Sequence, residues 1–192
     1  MKLLSPKDLD FIKKKFGDKT DKSGAPLWRH AETAREYLGI NISKYEEVPE
    51  DEIDDLLLGA LGHDLLEDTE TTSAEIEQLW GKKVLQYIEG MTNTKGDNDF
   101  DSYIEHLGAA DEEIILIKLA DILSNSNNSV ERFTYLLPNW IDLFWLPLLE
   151  RYRTTFFKRE YKKYPQTAGA MINKIEENMK ILRTLLSRVK PE

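Results

Sequence analysis

The stretch Gly62-His63-Asp64-Leu65-Leu66-Glu67-Asp68-Thr69 constrains this chain more than any other. It follows a run holding Ile53, Leu56, Leu57, Leu58, Ala60 and Leu61, apolar enough to be buried. The spacing predicts a core helix over 50–67 whose inner end carries four ionisable side chains. On such a helix His63 and Glu67 share a face, as do Asp64 and Asp68, since each pair is an i,i+4 step. Unpaired charges at the end of a core helix are costly, so a metal or catalytic site is the natural explanation. Imidazole and carboxylate together are a ligand set for a divalent transition metal.

Helical periodicity dominates elsewhere too. Ser5 and Pro6 suit the start of a first helix that runs to about Phe16. A polar loop spans Gly17 to Gly24, and Pro26 opens a helix that stops near Gly39, with residues 41–49 as a loop. Thr72-Ser73-Ala74-Glu75 reads as a capping box for a helix toward Glu89, broken near Gly81. Met91 to Asp99 reads as a loop, Ser102 to Leu107 as a short helix, Asp111 to Asn125 as an apolar helix and Met171 to Val189 as a final amphipathic one. No strand alternation or internal repeat is visible. The expectation is an all-α bundle of about seven to nine helices.

A chain of 192 residues suits one domain, with a core over about 17–130 and a C-terminal helical extension over about 131–190. There is no cysteine, which removes disulfides, thiolate metal sites and a Cys nucleophile. No 18-residue apolar run predicts a membrane span, and the N-terminus lacks the apolar region of a signal peptide; the expected location is the cytoplasm. The net charge of −9 argues against a sequence-independent nucleic-acid binder. A small anionic substrate stays compatible with it, because local lysines and a metal override global charge.

His30 follows Ser23-Gly24-Ala25-Pro26-Leu27-Trp28-Arg29, and Asp121 interrupts an apolar run in Lys118-Leu119-Ala120-Asp121-Ile122-Leu123-Ser124-Asn125. Asn125 lies four residues beyond Asp121, on the same helix face. A lone His63 would read as a packed core imidazole. Asp121 resists such a reading, because a buried unpaired carboxylate costs several kcal/mol, roughly 2–7 or more. His30, then His63-Asp64, then Asp121 resembles the H…HD…D pattern of the HD-domain phosphohydrolase superfamily. The finer resemblance is to (p)ppGpp hydrolases, the hydrolase part of RelA/SpoT-like enzymes and the small alarmone hydrolases. It rests on Ser23-Gly24-Ala25-Pro26, on Leu61 to Thr69, on Gly90-Met91-Thr92 and on Lys118 to Asn125, and covers about residues 17–130.

The resemblance implies that His30, His63, Asp64 and Asp121 hold one divalent metal, usually Mn²⁺. It implies that Glu67 and Asp68 orient and deprotonate the attacking water, and that Asn125 holds substrate or supports a ligand. Lys118, Lys22, Lys95 and Lys19 are the candidate phosphate contacts. The implied partner is a small nucleotide, with homo-oligomerisation left open. The chain departs from the family pattern in having Asp21-Lys22 where Arg is usual, Leu27 where Tyr is usual and Ala31 where Pro is usual. The implied reaction is removal of the 3′-pyrophosphate from (p)ppGpp. A 5′-nucleotidase or other nucleotide phosphohydrolase, and a non-catalytic nucleotide-sensing HD domain, stand as alternatives.

Tyr103 reads either as a base-stacking ring or as a packing anchor, and His106 as a surface or packing residue. The segment 140–164 interleaves aromatic residues (Trp140, Phe144, Trp145, Tyr152 and others) with basic ones. Its favoured reading is an amphipathic helix packed on the core, with a share in a substrate pocket or a dimer surface as the other.

Overall fold

The structure is a computed structural model that describes residues 5–93 and 100–189. Among those residues it is α-helical, and the one extended pairing is a single antiparallel bridge between Thr20 and Pro26. The helices are α1 (Pro6–Phe16), α2 (Leu27–Tyr45), α3 (Glu50–Gly62), α4 (Leu65–Asp68), α5 (Ser73–Trp80), α6 (Lys82–Met91), α7 (Phe100–Ala109) and α8 (Glu112–Glu131). A continuous helical run over 138–157, interrupted by two π turns, follows as α9, and α10 (Pro165–Val189) closes the chain. None of these helices is long and apolar enough to cross a membrane.

Helix α8 is the axis. Ile115, Leu116, Ile117, Leu119, Ala120, Ile122 and Leu123 are all buried, because α2, α3, α6 and α10 pack around it. A helix apolar on nearly every side can only be an interior helix. Helix α3 turns Leu56, Leu57 and Ala60 into the main core and Leu61 into a smaller cluster with Ile12, Phe16, Leu65 and Ile88. The ionisable residues that follow Leu61 therefore begin inside the protein.

Several boundaries differ from the sequence expectation. The core helix does not run unbroken over 50–67: α3 ends at Gly62, and α4 is a separate turn. Helix α2 does not stop near Gly39 but continues to Tyr45, so most of the expected 41–49 loop is helical. Leu38 and Ile42 are both fully buried one turn apart, and their burial outweighs the roughly 1 kcal/mol that an interior Gly costs. Helix α8 runs on past Asn125 to Glu131, since Ser126 and Ser129 are buried against neighbouring helices rather than placed in a loop. Helix α7 is longer than Ser102 to Leu107. Helix α10 starts at Pro165 rather than Met171, with Glu46 accepting the backbone N–H groups of Gln166 and Thr167. The capping box at Thr72 and Glu75 forms as expected. Most of the 91–99 loop, Lys95 included, lies outside the described residues.

Gly62, like Gly59, marks a close approach of α3 to its neighbours. A Cβ at Gly62 would lie 2.7 Å from both Ile88 Cδ1 and the Trp80 ring. The ring is stiff, and its Nε1–H is held by Asp8 at 2.8 Å. Gly62→Ala is expected to destabilise the protein by about 1–3 kcal/mol through overpacking, read from the urea midpoint. A midpoint at or above the wild-type value would show that the contact relaxes at no cost.

Candidate metal centre

Breaking the helix after Gly62 aims the site. His63 keeps helical angles (φ −53°, ψ −36°), whereas Asp64 sits at φ −98°, ψ 2°, the sparsely populated bridge region where active-site residues recur. The chain then turns again, with the Asp68 N–H bonded to the Asp64 carbonyl at 2.9 Å. The result brings adjacent side chains to one point, with His63 Nε2 3.0 Å from Asp64 Oδ2.

Helix α2 delivers His30 and helix α8 delivers Asp121 to the same point. His30 Nε2 lies 3.1 Å from His63 Nε2, 3.0 Å from Asp121 Oδ1 and 3.7 Å from Asp64 Oδ2. His63 Nε2 lies 3.4 Å from Asp121 Oδ1. Donor atoms held about 2.0–2.2 Å from one divalent ion stand about 2.8–3.6 Å apart at right or tetrahedral angles. Four of the five observed separations fall within that spacing and the fifth, 3.7 Å, lies just beyond it; His30, His63 and Asp64 form a group able to hold a metal ion.

The outer bonds of the two imidazoles support the fit. His63 Nδ1 is 2.8 Å from the Ala60 carbonyl oxygen, which can only accept, so Nδ1 carries the proton and Nε2 faces the cluster. His30 Nδ1 is 2.9 Å from Ser124 Oγ, whose hydroxyl in turn donates to the His30 carbonyl at 3.4 Å. Both rings thus present Nε2 to two carboxylates, an arrangement that calls for a positive charge between them. Burial disfavours charge on His63, yet Asp64 and Asp121 outweigh it and hold its pKa well above the ordinary value. A proton meets the demand for charge that a metal ion would otherwise meet.

Asp121 is 4% exposed. Burial alone would raise its pKa, but Lys118, then His63 and His30, hold it well below the usual carboxylate range. Lys118 Nζ is 2.8 Å from Asp121 Oδ2, and Asn125 Nδ2 donates to Oδ1 at 2.7 Å. Lys118 is partly buried, its side chain 14% exposed, with Nζ 5.7 Å from the Tyr103 ring centroid. Tyr103 is a buried packing anchor whose hydroxyl donates to the Met91 carbonyl at 2.7 Å.

Glu67 and Asp68 stand on α4 beside the cluster. Glu67 is exposed as a residue, but partial burial of its carboxyl raises its pKa against the opposing Asn93 N–H, which it accepts at 2.6 Å, and Lys118. Burial and then Asp64 raise Asp68, against Lys19, whose Nζ donates to the Asp68 carbonyl. A carboxyl with a raised pKa is a better proton acceptor at neutral pH.

A cleft of about 360 Å³ runs past this end of the site, lined by Lys22, Asp68, Asn125, Asn128, Trp140 and Phe144 among others. The 140–164 segment is thus divided: Trp140 and Phe144 reach the cleft, while Tyr152, Phe156, Phe157, Tyr161 and Tyr164 are buried. Lys22 does not stand at the cluster; its Nζ lies 4.6 Å from the Trp140 ring centroid and 5.2 Å from that of Phe144. Beside it, Asp21 Oδ1 accepts from Ser23 N, Ser23 Oγ and Ala25 N at 2.7–2.9 Å, and Oδ2 accepts from Asn128 Nδ2 at 2.7 Å. Arg132 donates to the Ser23 carbonyl at 2.9 Å. Ser124, Asn128 and Arg132 are not singled out by any motif in the sequence. The signal was present, since Asp121, Asn125, Asn128 and Arg132 follow a 4-3-4 helical spacing along one face.

No family model matches the chain. It is 32% identical over 123 residues to a guanosine-3′,5′-bis(diphosphate) 3′-pyrophosphohydrolase of Aquifex aeolicus, covering 60% of this chain and 16% of that protein. It is 36% identical over 74 residues to the Danio rerio guanosine-3′,5′-bis(diphosphate) 3′-pyrophosphohydrolase MESH1, covering 37% and 41%. It is 36% identical over 78 residues to the bifunctional (p)ppGpp synthase/hydrolase SpoT of Escherichia coli, covering 36% and 11%. The chain spans less than half the length of each of these curated relatives. A solved structure described as a metazoan ortholog of SpoT that hydrolyses ppGpp superposes with a TM-score of 0.68 at 17% identity, covering 94% of this chain and 99% of that one. The chain is therefore related in sequence to named ppGpp hydrolases over part of its length and shares the fold of one over nearly all of it.

The raised pKa of Glu67 carries a stability consequence. The folded protein binds that proton more tightly than the unfolded chain, so ionising the group lowers stability as pH rises through the folded pKa, and the effect is absent below the ordinary Glu value. In metal-free protein, Glu67→Gln is expected to be more stable than wild type at pH 7, with the difference vanishing below about pH 4. Urea denaturation across that range checks it, and a Gln variant less stable at pH 7 would contradict it.

Proposed function

We propose that the chain is a divalent-metal-dependent nucleotide phosphohydrolase, and that its substrate is guanosine-3′,5′-bis(diphosphate), from which it releases the 3′-pyrophosphate. The observation that carries the reading is the convergence of His30, His63, Asp64 and Asp121 on one point beside a cleft lined by Asp68 and Asn125. The names of the sequence relatives supply the substrate. Residues 1–192 are read as one hydrolase unit, with the part beyond 131 contributing a wall of the cleft.

In this reading the four residues hold Mn²⁺. When bound, the ion supplies Lewis acidity and offsets phosphate charge. Glu67 and Asp68, their pKa values raised, orient the attacking water and accept its proton. The bond that forms joins the water oxygen to the phosphorus on the ribose 3′ oxygen, and the bond that breaks is that ester link. The 3′ oxygen ends protonated, giving GDP and pyrophosphate, or GTP from the pentaphosphate. Lys118 acts through Asp121, whose Oδ2 it grips, rather than on a phosphate. Asn125 steadies Asp121 Oδ1 at the edge of the cleft. Lys22 reaches the substrate from across the cleft, and Lys95 remains a phosphate contact on sequence grounds.

A second reading keeps the metal chemistry and changes the nucleotide. It is favoured by Asp21, whose carboxylate is spent on its own loop and on Asn128 and so offers no edge to a guanine.

Pyrophosphate release from ppGpp in Mn²⁺, beside a panel of nucleoside mono-, di- and triphosphates, separates the two readings. ppGpp turnover is expected, falling about 10²–10⁴-fold in Glu67→Gln; turnover of another nucleotide alone would discard the substrate and keep the centre. Mn²⁺ at a hundred times its Kd is expected to stabilise the wild type by about 2.7 kcal/mol, and His63→Gln is expected to lose that metal-dependent rise in Tm. An equal rise in the variant would place the ion elsewhere.

A further inference from the structure

We propose that Trp140 and Phe144 form a stacking wall for the base of the bound nucleotide, an assignment that rests on the nucleotide reading above. Their side chains line the same cleft as Asp68 and Asn125, so one ligand can touch both the wall and the metal side. The wall is preorganised. Trp140 stacks on Phe144 with centroids 6.0 Å apart and planes at 30°, and on Trp145 at 6.0 Å and 10°. Trp145 is 6% exposed and anchors the group, while Phe144 is 45% exposed. An aromatic ring that leaves nearly half its surface in water beside a cleft contributes little to folding there, and it offers a π face to a planar ligand.

Lys22 marks that face. Its ammonium lies over both rings, as a cation held by their π clouds. Such a contact at an exposed site is weaker than a base stacked on an aromatic ring, so a base can take the place of the ammonium. Lys22 is then free to turn its charge to the phosphates of the same ligand. Two polar groups beside it, Asp21 on the loop and the Asn128 Nδ2 on α8, are already engaged with each other. Asp21 is saturated, and the Asn128 amide is engaged by Asp21 and by Ser23 Oγ. Recognition through ring faces rather than hydrogen-bonded edges tolerates different bases.

The test titrates Mn²⁺-loaded full-length protein calorimetrically with GDP, with ADP and with inorganic pyrophosphate, which has no base. Phe144→Ala is expected to weaken GDP and ADP about 5- to 150-fold while pyrophosphate changes less than about twofold. Phe144→Tyr, which keeps a ring, is expected to restore nucleotide affinity. Trp140→Leu is expected to act in the same direction as Phe144→Ala. Unchanged nucleotide affinity in Phe144→Ala overturns the proposal, as does an equal loss of nucleotide and pyrophosphate, or a wild type that binds pyrophosphate and neither nucleotide. A wild type that leaves ppGpp intact, yet shows the base-selective loss in Phe144→Ala, would remove the ppGpp reading and leave the wall standing.

Discussion

Asp121 is a carboxylate in the interior of the central helix, and it is compensated from four directions. Lys118 holds Oδ2, Asn125 donates to Oδ1, and His30 and His63 both face that same Oδ1. Removing a buried carboxylate from water without such partners costs more than any single apolar contact nearby returns. The three helices that supply these partners, α2, α3 and α8, are therefore locked together at one point. Their apolar faces supply the bulk of the packing, and Asp121 fixes how they register. The cluster still carries two imidazole nitrogens and two carboxylate oxygens within a few ångströms of each other, a charge pattern that a divalent cation balances.

The surroundings of the cluster show a division of labour. Groups behind it, the Ala60 carbonyl and Ser124, orient the histidine rings. Lys118 looks from sequence like a phosphate contact, but in the structure its partly buried ammonium is paired with Asp121 Oδ2. Glu67 and Asp68 sit on a turn of their own outside α3. Burial raises both pKa values, and Asp68 lines the cleft while Glu67 keeps its exposure beside it. The loop over 20–26 is knotted by Asp21 and tied to α8 through Asn128 and Arg132. The edge of the cleft formed by this loop is thus held by hydrogen bonds both within the loop and to α8.

Much of this was legible in the sequence. Asp121 was conspicuous because nothing apolar could explain it, and the His63-Asp64 pair because it followed a run that had to be buried. The Thr72–Glu75 cap was legible because its hydrogen bonds close within four residues. Boundaries set by distant packing were not. Gly39 has the local signature of a stop, yet Leu38 and Ile42 are buried together, and the serines and asparagines after Asn125 have that of a helix end, yet they face α10 and the loop over 20–26. The break after Gly62 was hidden as well, because residues 50–67 have the periodicity of one helix.

The sequence by itself determined the helical class and the order and chemical type of the ionisable residues at the centre, because those follow from local periodicity and from the cost of burying charge. Only the tertiary structure decided that Lys118 faces Asp121, that Asp21 is spent on its own loop and that Trp140 and Phe144 share a cleft with Asp68. The first two are close in sequence and the third is not, but in each the choice of partner depends on how the surrounding elements pack, and a side chain's free partners are known only once its neighbours are in place.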